Sequence, residues 1–473
     1  MQNLPLNRRS FLKASCAVSA AALLPAVSAR KVYGANARLN VAFIGTGGIA
    51  PGQAIGSIAP FGVECPCFAD VDTKQWGNVK GRWNGAEGFQ DYRKMFDKNM
   101  KAIDAVMVST PDHHHYPATI LAMMGGKHVY TQKPLTHTVW EANQLTLAMD
   151  KYKVATQMGN QYHAGEGNRR IVEWIRSGAL GKVKELHVWT DRPDRFWKQG
   201  LPRPEGADPV PQNLDWDTWL GPAPQRPYKQ ADRGIWHSIY HQGSWRGFRD
   251  FGGGALGDMG CHTMDGPFWS LEVETFKTAE LIKGGPVRGK DMWPDKSKVK
   301  LELQTKRNGM VDLYWYENGL LPDKPANMPG NFAASGALFI CEKGILVTYD
   351  DYGQVGTVVM NDAKPGALVR QDPNSSGANY KIIGDVESPA RSLERSEGHH
   401  KEWYLACTGE KPYNHPRANF SYAGPFTQTL LAASIAQVVG GKVAYDAKAM
   451  KFDNDEATAL LTKNYRKGWE FKM

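Results

Sequence analysis

A buried strand running into a glycine-rich turn constrains this chain more than any other feature. "RLNVAFIGTGGIA" reads as a strand from Leu39 to Ile44, followed by Gly45, Gly47 and Ala50. At this spacing the first glycine makes a tight turn and the second lets a pyrophosphate approach the backbone. The small third residue lets the next helix pack on the strand. That helix would present unpaired N–H groups to phosphates. Thr46, Gly48 and Ile49 complete the turn, and Pro51 and Gly52 make the helix start irregular.

The context strengthens the reading. A second strand, "VECPCFADVD", ends in Asp70, 25 residues after Gly45. A carboxylate there accepts hydrogen bonds from the ribose hydroxyls of NAD and repels the 2′-phosphate of NADP, so NAD is expected over NADP. A third strand, "AIDAVMVSTP", ends at Thr110 and Pro111, and a helix follows with Asp112 as its expected cap. The strand "HVYT", the helix "THTVWEANQLTLAMDKY" and the strand "VATQMGN" continue the alternation, which indicates a doubly wound parallel sheet. Ligands bind such sheets at the strand C-termini, which here carry Gly45, Asp70, Thr110, Gln132, Lys133 and Asn160. Lys133 is therefore expected to face the cofactor crevice rather than solvent.

Three histidines, His113 to His115, follow the third strand. Consecutive helical side chains diverge, so they cannot converge on one ion and no metal is expected. One ring, His114, is expected near the cofactor.

The pattern changes after "EGNRRIVEWIRSGALG". A strand from Lys184 to Thr190 leads into a long Pro-, Trp- and Asp-rich stretch, residues 191–228, of the length that usually serves a function. Trp197, Trp216 and Trp219 there, with Trp236 and Trp245 shortly after it, are candidates for stacking on a sugar, with packing the simpler account for most. Later strands, "KVKLELQTK", "MVDLYWYE", "ALFICEKGILVTYD" and "YGQVGTVVM", read as a large, open, mostly antiparallel sheet. Before them comes "DFGGGALGDMGCHTMDGPFWSL", with a helix expected from near Leu256. Asp258 and His262 are four residues apart and share a helix face. A carboxylate beside a histidine can fix its tautomer for general-base work. His399 and Glu402 form a second pair that suits a helix surface as well as a site.

The first residues stand apart from the fold. "NRRSFLKASCAVSAAALLPAVSA" reads as a twin-arginine export signal, with cleavage after Ala29 or Ala37. Its apolar run of roughly 14 residues is short of the ~20 that span a bilayer. Lys13 argues against a lipoprotein site at Cys16. Removing Arg8, Arg9, Lys13, Arg30 and Lys31 lowers the net charge from +9 to +4, and no basic block remains to suggest nucleic-acid binding. The five other cysteines, Cys65, Cys67, Cys261, Cys341 and Cys407, are too sparse for a disulfide framework. At 473 residues the chain suits two large domains. We expect signal and linker over 1–37, the dinucleotide-binding domain over 38–160 and a substrate domain over 161–473.

"GTGGIA", "TPDHHH", "QKPL" and "GGGALGDMGCH", in this order, resemble the Gfo/Idh/MocA family (glucose–fructose oxidoreductase / inositol dehydrogenase), in its exported members. The resemblance implies a Rossmann domain followed by an α/β domain with an open sheet. It implies NAD(P) at the first domain, a sugar, cyclitol or related polyol between the domains and a homo-oligomer formed through that sheet, while export of a folded, loaded protein predicts that the NAD(H) is held tightly. It casts Lys133 as the group that polarises the reacting oxygen, in a Lys-Pro peptide that is often cis. It casts His262 as the acceptor of the hydroxyl proton, paired with Asp258. Substrate contacts are expected from Lys133, His163, Trp245, Asp258 and His262. One departure stands out: the family's Glu-Lys-Pro is here Gln132-Lys133-Pro134, which removes a negative neighbour from the lysine. The expected activity is hydride transfer between NAD(H) and a carbohydrate. The alternatives are an NAD-dependent glycosidase or lyase acting through transient oxidation, and a carbohydrate-binding protein without turnover.

Overall fold

A computed structural model describes residues 38–193, 196–230, 239–241, 243–287, 289–364 and 366–470. The signal segment, residues 1–37, and Trp236 lie outside the described residues.

Six parallel strands form the first sheet: β1 (Val41–Ile44), β2 (Cys67–Ala69), β3 (Glu87–Phe89), β4 (Ala105–Val108), β5 (His128–Thr131) and β6 (Thr156–Met158), in the spatial order β3-β2-β1-β4-β5-β6. Strands β1 and β4 are apolar and buried along their length, as suits a parallel sheet covered on both faces. The order reverses between β1 and β4, which opens a crevice at their C-terminal ends. Helices α1 (Tyr92–Asn99), α2 (His115–Met124) and α3 (Val139–Tyr152) cover the faces. Helix α3 begins with a capping box: Thr138 Oγ1 accepts the Glu141 N–H at 3.3 Å, and the Glu141 carboxylate accepts the Thr138 N–H at 3.0 Å.

Helix α4 (Glu166–Arg176) leads to the second sheet. Its strands are β7 (Val183–Trp189), β8 (Val273–Lys283), β9 (Lys298–Thr305), β10 (Gly309–Tyr316), β11 (Gly336–Cys341), β12 (Gly344–Thr348), β13 (Val355–Met360), β14 (Val369–Gln371), β15 (Asn379–Ile383), β16 (Lys442–Asp446) and β17 (Lys451–Phe452). Only β7–β10 and β13–β15 pair in parallel, so the sheet is mostly antiparallel, as expected. The segment "ALFICEKGILVTYD" is a hairpin, β11 and β12. Strand β9 alternates buried and half-buried residues, the pattern of a sheet with one covered face.

Further helices follow β7 in the chain. They are α5 (Trp216–Leu220), α6 (Gly254–Thr263), α7 (Asp265–Leu271), α8 (His399–Cys407) and α9 (Phe420–Val439). Helix α9 packs on α3, α6 and β8, so it touches both domains. Gly424 permits this approach, because a Cβ there would collide with the Thr146 hydroxyl.

Two local expectations differ from the structure, and a third is met. Asp112 does not cap α2. Residues Asp112–His114 form a 3₁₀ turn before the helix, and the Asp112 carboxylate accepts the Gly253 N–H at 3.0 Å instead. Helix α6 starts at Gly254, two residues before Leu256. The helix after the glycine turn contains a π-helical turn, Pro51–Gly56, which matches the irregular start that Pro51 and Gly52 suggest.

Candidate active site

The C-terminal ends of β1, β2, β4 and β5 border a cavity of about 270 Å³. Gly45 has a φ of 78°, and a Cβ there would lie 2.7 Å from Ser109 O, so the turn needs glycine. Gly47, Gly48 and Ile49 line the cavity beside it. Thr46 is fully buried outside that lining, and its N–H and hydroxyl both donate to Asp70 Oδ2, at 2.7 and 3.2 Å. Asp70 thus braces the turn while also lining the cavity. Burial pushes its carboxyl up, against the bonds from Thr46 and Asp72 that favour the anion.

Buried polar atoms without protein partners cluster at the strand ends. They are Ser109 Oγ, Thr110 Oγ1, and both amide atoms of Gln132 and of Asn160. An unsatisfied buried polar group costs about 1–3 kcal/mol, so these atoms suit a polar ligand that supplies donors and acceptors. Ser109, Thr110, Pro111 and Gln132 line the cavity, whereas Asn160, 1% exposed, lies outside its lining. The residues present therefore fit a dinucleotide.

The histidine run supports the walls. His114 lines the cavity, but its Nε2 bonds Trp219 O at 2.9 Å and its Nδ1 faces Tyr92 Oη at 3.3 Å. His113 Nε2 meets the same Trp219 carbonyl at 3.0 Å. His115 lies between Pro134 O, 2.6 Å away, and Thr110 O, 2.9 Å away, so it ties the Lys133–Pro134 turn to the end of β4. That peptide is cis. Burial holds His114 down to about 3 and His115 down to about 4. Among the described residues no group of three or more His, Cys, Asp or Glu side chains could hold a metal.

The long Pro- and Trp-rich stretch is a roof over the crevice. Asp215 N donates to Val71 O, and Thr73 N to Asn213 O, both at 2.9 Å, so the stretch is stitched to the chain after β2. The Asp72 carboxylate takes Asn213 Nδ2 at 2.6 Å and His241 Nε2 at 3.1 Å. Trp216 and Trp219 stack at 4.7 Å inside the roof's own apolar cluster, which includes Tyr240, Phe248 and Phe251. Thr218, Trp219 and Trp245 reach the cavity from this side. Residues 463–469 strap the roof down. Arg466 Nε donates to Gly221 O at 2.8 Å, and its Nη atoms reach the Asp217 carboxylate, the Asp217 carbonyl and Gln225 Oε1. Trp469 packs on Tyr92 and His114, with the Arg93 guanidinium over its ring at 3.7 Å. Lys463 pairs with the buried Glu141 at 3.0 Å.

Lys133 enters the cavity at the end of β5 and crosses to the second domain. Its Nζ donates to Asp258 Oδ1 at 2.6 Å. Arg246 Nε donates to the same oxygen at 3.0 Å. Asp258 does not hydrogen-bond His262, so the expected carboxylate–histidine pair is replaced by a carboxylate between two cations. Full positive charges outcompete a neutral imidazole for an anionic acceptor. Burial pushes Asp258 up, but Lys133 and then Arg246 outweigh it and hold the carboxyl well below the usual range. The acid that Gln132 lacks is thus supplied to Lys133 by Asp258. His262, one turn further along α6, is held down to about 3 by burial and then by Lys133, against the opposing pull of Asp258, so its imidazole is neutral. Asp112 lines the cavity nearby, where burial raises it to about 7 against the pull of Arg246.

Other expected residues lie apart. His163 is 2% exposed and outside the cavity lining; its Nδ1 meets the Asp265 carboxylate at 3.0 Å, beside Tyr422 and Trp269. Trp197 is buried and donates to Gln199 Oε1. His399 and Glu402 are buried rather than on a surface: His399 Nε2 meets Met158 O at 3.1 Å, and Glu402 accepts the Arg417 N–H at 3.1 Å. The five cysteines are buried and unbridged. Sequence reasoning missed Arg246 and Tyr352. Tyr352 meets the His262 ring edge-on at 5.1 Å. The "SWRG" turn offered no signal for the first, and the second comes from a β-hairpin loop 90 residues from His262.

Crevice, roof and the Lys133 bridge define a dinucleotide-binding protein whose second domain reaches the cofactor cavity through Asp258. The pattern of the oxidoreductase family's NAD-binding Rossmann fold matches residues 39–160, and that of its C-terminal α/β domain matches residues 170–285. The chain belongs to the Gfo/Idh/MocA oxidoreductase family. Residues 5–25 match the twin-arginine translocation signal, which directs export. A Shewanella pealeana glycosyl hydrolase family 109 protein is 28% identical over 207 residues, covering 38% of this chain and 44% of that protein. A Rubrobacter xylanophilus inositol 2-dehydrogenase is 27% identical over 159 residues, covering 33% and 45%. The chain thus spans less than half the length of these curated relatives. Among solved structures, the WlbA dehydrogenase of Chromobacterium violaceum with NADH and UDP-GlcNAcA is similar, with a TM-score of 0.56 and 15% identity over 90% of this chain and 99% of that one. Levoglucosan dehydrogenase with NADH and levoglucosan gives 0.53 and 15%, over 86% and 99%. At such identity the likeness speaks for the fold. No described helix is long and apolar enough to cross a membrane.

Proposed function

We propose that the protein is an exported oxidoreductase that moves hydride between tightly held NAD(H) and a hydroxyl or ketone of a sugar, glycoside or polyol. The observation that carries this reading is the Lys133–Asp258 bond of 2.6 Å, which joins the cofactor cavity to the helix bearing His262. NAD, when bound, supplies the hydride acceptor. Gly45, Gly47, Gly48, Ile49 and Asp70 would hold its phosphate and ribose end, with Thr46 bracing the turn. Thr110, Pro111, His114, Gln132 and Asn160 would hold the nicotinamide end. The Asp70 carboxylate disfavours a 2′-phosphate and supports NAD over NADP.

Lys133 would donate a hydrogen bond to the reacting oxygen and stabilise its developing charge. His262, neutral and buried, would take the hydroxyl proton. Asp258 would aim Lys133. Trp245 would border the substrate, and His163 would act behind the first layer of contacts. Tight retention is supported by the roof and by the Arg466 strap. An inositol 2-dehydrogenase, similar in sequence, and a levoglucosan dehydrogenase, similar in fold, support a carbohydrate substrate. Assembly through the open face of the second sheet belongs to the same proposal.

The similarity to the family 109 glycosyl hydrolase favours a second reading, in which oxidation is transient and a glycosidic bond is cleaved. Protein purified from the periplasm without added cofactor should carry nicotinamide absorbance and release NAD on denaturation. Sugars and glycosides are then screened for a change in that absorbance and for bond cleavage. An empty site refutes tight binding. Cleavage without net redox change selects the second reading.

A further inference from the structure

Beyond His262 the protein presents an aromatic pair that neither the cofactor nor the core accounts for. Tyr162 and Tyr352 stack with centroids 4.0 Å apart and ring planes 13° from parallel. Tyr352 abuts His262, whereas Tyr162 is 41% exposed. Among the described residues, neither phenolic hydroxyl makes a hydrogen bond.

Both backbones are fixed. The Asp350 carboxylate accepts the N–H groups of Tyr352, Gln354 and Val355, at 2.7, 3.1 and 2.6 Å. Arg192 holds the neighbouring Asp351 at 3.3 Å. Tyr380 Oη donates to Gly353 O at 2.8 Å. On the other side, Tyr162 O accepts Gly165 N at 2.8 Å and Asn168 Nδ2 at 3.1 Å. Tyr162 lies two residues after Asn160, whose buried amide atoms are without partners. An aromatic pair, partly exposed at Tyr162 and with unpaired hydroxyls, suits a ring that is apolar on its face and hydroxylated at its rim.

We propose that Tyr162 and Tyr352 form a second ring subsite, so that the substrate is a glycoside whose neighbouring ring stacks there, rather than a free monosaccharide. This rests on the oxidoreductase reading, which places the reacting ring between Lys133 and His262. The platform then begins at Tyr352, whose ring lies 5.1 Å from that of the proton acceptor, within reach of the group across the glycosidic oxygen.

The test is calorimetric titration of the mature protein with matched methyl and p-nitrophenyl glycosides of glucose, galactose and N-acetylglucosamine, with nicotinamide absorbance followed separately. For at least one sugar the aryl glycoside should bind about tenfold tighter than the methyl glycoside. Tyr162→Ala should abolish that preference and leave methyl-glycoside affinity unchanged, and Tyr162→Phe should keep most of it. Equal affinity for the two series overturns the subsite. So does an equal loss in both with Tyr162→Ala, or no binding of any glycoside. Selective aryl binding that survives until Tyr162 is removed, with no redox change, keeps the subsite and refutes the oxidoreductase reading.

Discussion

Arg466→Ala should release the cofactor without emptying the glycine turn of its contacts. The guanidinium spans α5 and the chain after it, bonding Gly221 O at 2.8 Å, Asp217 O at 2.6 Å and Gln225 Oε1 at 2.5 Å, besides the Asp217 carboxylate. The Asp217 side chain is 68% exposed, so the ion pair contributes at most about 1 kcal/mol. Each of the two carbonyl bonds adds about 1 kcal/mol net. Roughly 3 kcal/mol then holds the strap on the roof, and its loss shifts an opening equilibrium by about a hundredfold. The assay is displacement of bound NADH by excess NAD, read by fluorescence, with Arg466→Lys as an intermediate. Arg307→Ala removes an exposed pair with Glu272 and serves as a distant control. Release within twofold of the unaltered protein would refute the gating argument, as would equal acceleration in the control.

Three further outcomes follow from the site. His262→Ala should lower kcat/KM by about 10²–10⁴-fold while bound nicotinamide absorbance persists, because His262 lies outside the cavity lining. Asp258→Asn leaves Lys133 and Arg246 without their shared anion and should cost about 3–5 kcal/mol in denaturant unfolding. Asp112→Asn should stabilise the protein increasingly as pH rises. Its folded value of about 7 exceeds the unfolded one, so its carboxyl favours folding at low pH and this is lost as pH climbs through about 7. The gain in thermal unfolding should grow by roughly 2–3 kcal/mol between about pH 5 and pH 8, and a gain independent of pH would contradict the burial argument.

The first domain was legible because its signals are local. The glycine turn, short apolar strands and helix caps each declare themselves within a dozen residues, and the strand ends then place Lys133. Strand β3 and helix α1 were not read, since "EGF" is three residues long and half-buried. Asp258 and His262 were correctly put on one helix. Their pairing was not, because spacing along a helix says which face a side chain takes and nothing about what reaches that face from elsewhere. Lys133 arrives from 125 residues away and Arg246 from a turn with no periodicity. Roof, strap and tyrosine pair share that character: each is made by contacts between segments far apart in sequence.

The strap also sets a clock. Arg466 is synthesised about 420 residues after Gly45, so at about 5–20 residues per second the glycine turn waits roughly 20–80 s for the last piece of its enclosure. Were the strap the gate that the Arg466→Ala test examines, the crevice would be open to nucleotide during that interval. A chain that folds before export thus has a loading window whose length is written in the distance between two residues.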